Sequence, residues 1–136
     1  GGAGVDKLCG DYVHDTRYGG FDNDIVIGGA GNDVLYGDEG NDVLWAEGDD
    51  DLLFGGAGND RLNGQDGADT LTGGAGNDNL NGGNGADVFV FDAVTDSGSD
   101  IIGGFDVAQD RLQITGMNTT EVLATLAIKA AAPIST

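Results

Sequence analysis

The stretch GGAGNDVLY, residues 28–36, places two glycines and an Asn-Asp pair ahead of three apolar residues. Alone it reads as a turn leading into a short strand. GGAGNDRLN returns at 55–63 and GGAGNDNLN at 73–81, so the phrase is a repeating unit. Cutting every nine residues from Gly1 gives ten units that run to residue 90 without an insertion or deletion. The sixth position is aspartate throughout: Asp6, Asp15, Asp24, Asp33, Asp42, Asp51, Asp60, Asp69, Asp78 and Asp87. The eighth is apolar in every unit but the second, where Arg17 stands.

One unit has a simple physical reading. Glycines at positions one, two and four permit positive φ and close backbone approach, which makes that half a turn. Positions seven to nine form a minimal strand whose eighth side chain points opposite to its neighbours. So short a strand cannot bury its apolar residue alone, but stacked units can. Two units then make one coil of turn, strand, turn, strand. The eighth-position residues of both sides meet as a thin interior.

Composition sets the electrostatic condition. Twenty-four acidic residues against five basic ones leave a formal charge of −19, which a compact chain sustains only if something neutralises it. The bases are scattered, so no basic stripe offers itself to nucleic acid. Acidic, glycine-rich chains are usually disordered, yet 39% of these residues are hydrophobic and regularly placed. The expectation is order that depends on a counterion. Strands in a sheet lie about 4.8 Å apart, so each aspartate falls beside the one eighteen residues on, and bare columns of carboxylates repel. A hard dication between coils reverses that sign. Calcium accepts six to eight oxygens in irregular geometry, magnesium demands a stricter shell, and zinc favours His or Cys. Calcium is the ion expected.

These units resemble the GGxGxDxUx nonapeptide of RTX proteins, the haemolysin-type calcium-binding repeats. The resemblance covers residues 1–90. It implies an all-β fold, a parallel β-roll built as a right-handed solenoid with two repeats per coil. It further implies calcium between turns, type I secretion, and folding outside the cell. Carried onto this sequence, the aspartate ligands are the ten sixth-position residues. Carbonyls of glycine stretches such as Gly28, Gly29 and Gly31, Gly55, Gly56 and Gly58, and Gly73, Gly74 and Gly76 complete the cages. About six to eight ions are expected, with Asp15/Asp33 the least secure pair. The departures are Val13 and Arg17 in the second unit, Asp22 and Asp49 at fourth positions, and Ala46-Glu47 in place of a glycine pair.

Residues 91–136 form the second expected unit. FDAVTDSGSDIIGGFDVAQDRLQI resembles the capping segment that follows such repeats, where an open sheet edge and core need covering. Asp100, Asp106 and Asp110 are candidates for one more ion, with a solvated surface role as the equal alternative. TTEVLATLAIKAAA reads as a short amphipathic helix begun at Thr119 or Thr120, and its position suits an export signal by the same resemblance.

Positions seven and nine point outward. Ile25, Ile27, Tyr36, Trp45 and Phe54 make an apolar patch there, a candidate contact for an upstream domain or partner. No HExxH, GxSxG or P-loop phrase occurs, His14 stands alone, and Cys9 has no His partner in view. The segment reads as non-catalytic, secreted, and the end of a longer protein. A calcium-dependent surface-assembly, adhesin or glycan-contacting module is the alternative. No apolar run is long enough to span a bilayer.

Overall fold

The structure, a computed structural model, describes residues 1–92, 94 and 98–116. The helix and export signal expected beyond residue 116 lie outside the described residues. Twelve strands occur among the described residues, and odd and even strands separate into two parallel six-stranded sheets. The first sheet runs β1 (Lys7–Cys9), β3 (Ile25–Gly29), β5 (Val43–Glu47), β7 (Arg61–Asp66), β9 (Asn79–Asn84) and β11 (Ile101–Gly103). The second runs β2 (Thr16–Gly20), β4 (Val34–Glu39), β6 (Leu52–Ala57), β8 (Thr70–Ala75), β10 (Val88–Asp92) and β12 (Arg111–Thr115). This is the parallel β-roll, two repeats to a coil.

Register follows the repeat. Val26 pairs with Leu44 and Leu44 with Leu62, while Leu35 pairs with Leu53 and Leu53 with Leu71. The eighth positions Val26, Leu35, Leu44, Leu53, Leu62, Leu71, Leu80 and Phe89 are buried and form the core. Burying a side chain of this size stabilises by about 1.5–3 kcal/mol relative to leaving it in water. Most strands contribute only one such residue, so the coils hold only as a stack.

Most strands outlast the three residues expected of them. β4, for example, continues through Gly37 and Asp38, because the pleat carries on into the first two positions of the next unit and Asp38 pairs with Gly56. The turn proper is then made by two left-handed residues. Every second and fourth position from Gly20 to Gly85 has positive φ, whether glycine or not. A Cβ built at Gly56 or Gly58 would strike the carbonyl of Asp38 or Gly40 on the preceding coil. Asp22, Asp38, Glu47, Asp49 and Gln65 carry a Cβ there and sit at smaller φ, 72–82°, in the left-handed helical well.

The stack does not stop at residue 90. β11 pairs with β9 and β12 with β10, aligning Leu80 with Ile102 and Phe89 with Leu112. Extra chain before each strand lengthens the last coil. Phe91, Ile102 and Phe105 join the core, with the Phe105 ring 5.8 Å from that of Phe89.

Candidate metal centre

The sixth position precedes the outward seventh, so the pleat turns each aspartate inward beside the core. From Asp24 to Asp87 the sixth-position residues are at most 2% exposed, while Asp6 and Asp15 at the open end are half-buried. From Asp24 to Asp87 each Oδ1 accepts the backbone N–H of the aspartate one coil earlier. On one side Asp6, Asp24 and Asp42 donate to Asp24, Asp42 and Asp60 at 2.7–2.8 Å. On the other, Asp15, Asp33, Asp51 and Asp69 donate to Asp33, Asp51, Asp69 and Asp87 at 2.7–3.0 Å. These bonds lock the coils in register and aim the carboxylates.

Seven of the second oxygens have no such use. Oδ2 of Asp24, Asp33, Asp42, Asp51, Asp60, Asp69 and Asp87 is buried without a hydrogen-bond partner. A buried acceptor left unsatisfied costs about 1–3 kcal/mol, and more when charged. Burial raises the Asp42 and Asp60 carboxyls to about 6 and those of Asp51 and Asp69 to about 7. The backbone bond opposes that rise, and the aspartate one coil earlier adds to it. Asp33 and Asp87 are raised as well, again chiefly by burial. The columns are therefore short of positive charge.

First-position glycines keep space open beside these oxygens. A Cβ on Gly28 would lie 2.5 Å from Asp33 Oδ2 and 2.8 Å from the Ala46 carbonyl oxygen. One on Gly55 would lie 2.5 Å from Asp60 Oδ2 and 2.6 Å from the Gly73 carbonyl oxygen. The same spot recurs at Gly37, between Asp42 Oδ2 and the Gly55 carbonyl. Carboxylate and carbonyl oxygens from two coils border each spot, a donor set that suits a hard cation. Among the described residues no three His, Cys, Asp or Glu side chains converge, so backbone carbonyls must supply much of any coordination shell.

The glycines named from the sequence divide by role. Gly28, Gly55 and Gly73 border Oδ2 atoms. Gly29, Gly31, Gly56, Gly58, Gly74 and Gly76 form the left-handed turn, and the Gly29 carbonyl already accepts the Gly48 N–H at 3.2 Å. Asp22 and Asp49, departures in sequence, take up the N–H groups of Gly4 and Gly31 on the preceding coil. Ala46 places a buried methyl where other units have a first-position glycine.

The tail extends both columns. Asp78 N donates to Asp100 Oδ1 and Asp87 N to Asp110 Oδ1, across spacings of 22 and 23 residues. Asp100 and Asp110 are buried, which is at odds with a solvated surface role for them. Asp106 is exposed and donates its N–H to Asp110 Oδ2 at 2.8 Å.

A family model of the RTX calcium-binding nonapeptide repeat (4 copies) matches residues 18–53 and again 54–89, over half of the chain. The chain belongs to the RTX family. RTX repeats bind calcium, and an RTX repeat domain is a non-catalytic calcium-binding module. Among solved structures the chain is similar to the solution structure of the AlgE6R3 subunit from the Azotobacter vinelandii mannuronan C5-epimerase. Identity is 31%, the match covers 74% of this chain and 45% of that one, and the TM-score is 0.25. No curated protein matches.

The RTX roll carries one further ladder that the sequence reading passed over. Fifth-position side chains accept the fifth-position N–H of the next coil: Asn23 from Asn41, Asn41 from Asn59, Asn59 from Asn77 and Asn77 from Ser99. On the other edge His14, Asn32 and Asp50 do the same for Asn32, Asp50 and Ala68. The signal was the recurring Asn before Asp. His14 and Cys9 are both exposed.

Proposed function

We propose that this RTX roll is a switch for a larger secreted protein: open where calcium is scarce, folded where it is abundant. The carrying observation is the set of seven buried aspartates, Asp24, Asp33, Asp42, Asp51, Asp60, Asp69 and Asp87, each with an unpartnered Oδ2, in a chain of charge −19. The sixth-position aspartates from Asp24 to Asp87 hold the ions, with Asp6 at the open end of one column and Asp100 and Asp110 at the far end of both. Position-one carbonyls complete the shell, and about six to eight ions bind. Bound calcium supplies charge neutralisation and cross-linking between coils. Residues 1–90 supply the repeats of the binding unit, Asp100 and Asp110 extend it, and the chain beyond carries the export signal of a type I secretion substrate.

Extracellular calcium modules bind with dissociation constants of about 10⁻⁴–10⁻³ M. A tenfold excess of free calcium stabilises the roll by about 1.4 kcal/mol per site. Several sites reach the scale of a small domain's total stability, about 5–15 kcal/mol. Circular dichroism should show little β signal in chelator and a steep, cooperative gain in millimolar calcium. A spectrum indifferent to calcium overturns the switch.

A second reading, assembly or adhesion through the outer face, is favoured by one observation. Tyr18, Tyr36 and Phe54 stack outward on the second sheet at centroid distances of 4.7 and 4.9 Å, and Trp45 is 41% exposed on the first. Calcium-dependent light scattering that grows with protein concentration, and falls in Trp45→Ala and Phe54→Ala, supports it; a monomer at all concentrations counts against it.

A further inference from the structure

The second repeat, GDYVHDTRY, departs from its neighbours in three ways at once. Asp11 and Val13 occupy the second and fourth positions, and neither adopts the positive φ found there in later coils. Its turn is instead drawn around Asp11, whose Oδ1 accepts the Tyr12 and Val13 N–H groups at 2.7 and 3.2 Å. Arg17 takes the inward eighth position, in register with Leu35 of the core. The other basic residues described, Lys7, Arg61 and Arg111, are at exposed seventh positions. Arg17 alone among them turns its charge toward an aspartate column.

The guanidinium finds a partner there. Arg17 Nη2 lies 3.4 Å from Asp15 Oδ1, with both side chains largely sheltered, and Arg17 Nε is buried without a hydrogen-bond partner. Asp15 Oδ1 is the oxygen that, one coil on, would accept a preceding aspartate N–H, and Asp15 Oδ2 takes the Asp11 N–H at 3.1 Å. Both oxygens of Asp15 are therefore engaged, unlike those of Asp33 above it. Burial raises the Asp33 carboxyl, and Arg17 is among the charges pulling it back.

We propose that Arg17 is a built-in counter-ion that replaces calcium at the Asp15/Asp33 position, so that one column begins its metal sites a coil later than the other. A fixed cation beside Asp15 repels a dication. The second unit keeps its first-position Gly10, bordered by Asp15 Oδ2 and the Gly28 carbonyl oxygen as in other units, so the added charge rather than the space sets this position apart. The charge a metal brings elsewhere comes here from the chain, so the first coil of that column needs no calcium for neutrality. The inference rests on the calcium reading above, but it can fail separately.

The test is ion counting on the full chain at saturating calcium, by native mass spectrometry with calorimetric titration alongside. Arg17→Leu, which restores the repeat's apolar residue, should bind one more ion than the parent. Arg17→Lys, which keeps the charge, should bind the same number. Asp15→Asn should also leave the count unchanged, and this variant decides the matter if Arg17→Leu does not fold. An unchanged count in folded Arg17→Leu, or an ion lost in Asp15→Asn, overturns the proposal while leaving the calcium switch standing. A parent chain that binds no calcium at all overturns both.

Discussion

At the scale of the residue, the first-position glycine and the sixth-position aspartate act as one device. The aspartate spends Oδ1 on the neighbouring coil and keeps Oδ2 buried and unpartnered, and the glycine leaves space beside it. Gly55→Ala would bring a methyl within 2.5 Å of Asp60 Oδ2 and 2.6 Å of the Gly73 carbonyl, so carboxylate and backbone must separate. Calcium affinity at that coil should fall about tenfold or more, a loss of about 1.4 kcal/mol or greater. Chelator-competition titration reads it; an unchanged affinity means that the space is not used by the ion. Ala46→Gly, which removes a buried methyl from the equivalent place beside Asp51, should shift the titration the opposite way.

At the scale of the element, most strands of this roll have one large core side chain and depend on their neighbours at both edges. The fifth-position asparagines stitch the turns together much as the aspartates stitch the interior. Asn59→Ala removes the acceptor for the Asn77 N–H, a bond of 2.9 Å at an exposed edge where water replaces it in part. The expected cost is about 0.5–1.5 kcal/mol. Leu53→Ala empties a fully buried position and should cost about 2–5 kcal/mol. Calcium-saturated thermal melts of both variants test the ranking, which reverses if the edge ladder rather than the core holds the coils.

At the scale of the whole molecule, protons and calcium compete for the same columns. Burial lifts Asp42 and Asp60 to about 6 and Asp51 and Asp69 to about 7, against an ordinary value of 3.8. Between those values the roll holds more protons than the open chain, so protonation stabilises it. That stabilisation is complete below pH 3.8 and is lost as pH rises through 6 to 7. In chelator, acidifying from pH 8 to 5 should therefore increase β structure measured by circular dichroism. In calcium, the same acidification should weaken the folded roll's affinity for the ion in calorimetric titration, because the columns must lose their protons before they bind it. A metal-free chain that loses β signal on acidification contradicts this account.

The period of nine, with glycine, aspartate and an apolar residue at fixed places, determined the coil, the core and the two aspartate columns. These features follow from local stereochemistry: pleat alternation, left-handed turns and the need of short strands to stack. The family followed from the same period. Where the period broke, the sequence offered Asp100, Asp106 and Asp110 only as candidates for one ion, with no register to place them. Asp100 and Asp110 sit at spacings of 22 and 23 residues, and only the pairing of β11 and β12 with β9 and β10 returned them to the columns. Asp22 and Asp49 looked like damage, yet in the roll they occupy the left-handed well and bind the coil before them. Arg17 looked like a lost core contact, and only the fold placed its guanidinium beside Asp15. Spacing along the chain fixes what a repeat can do locally, whereas which oxygen is left without a partner depends on the coil stacked against it.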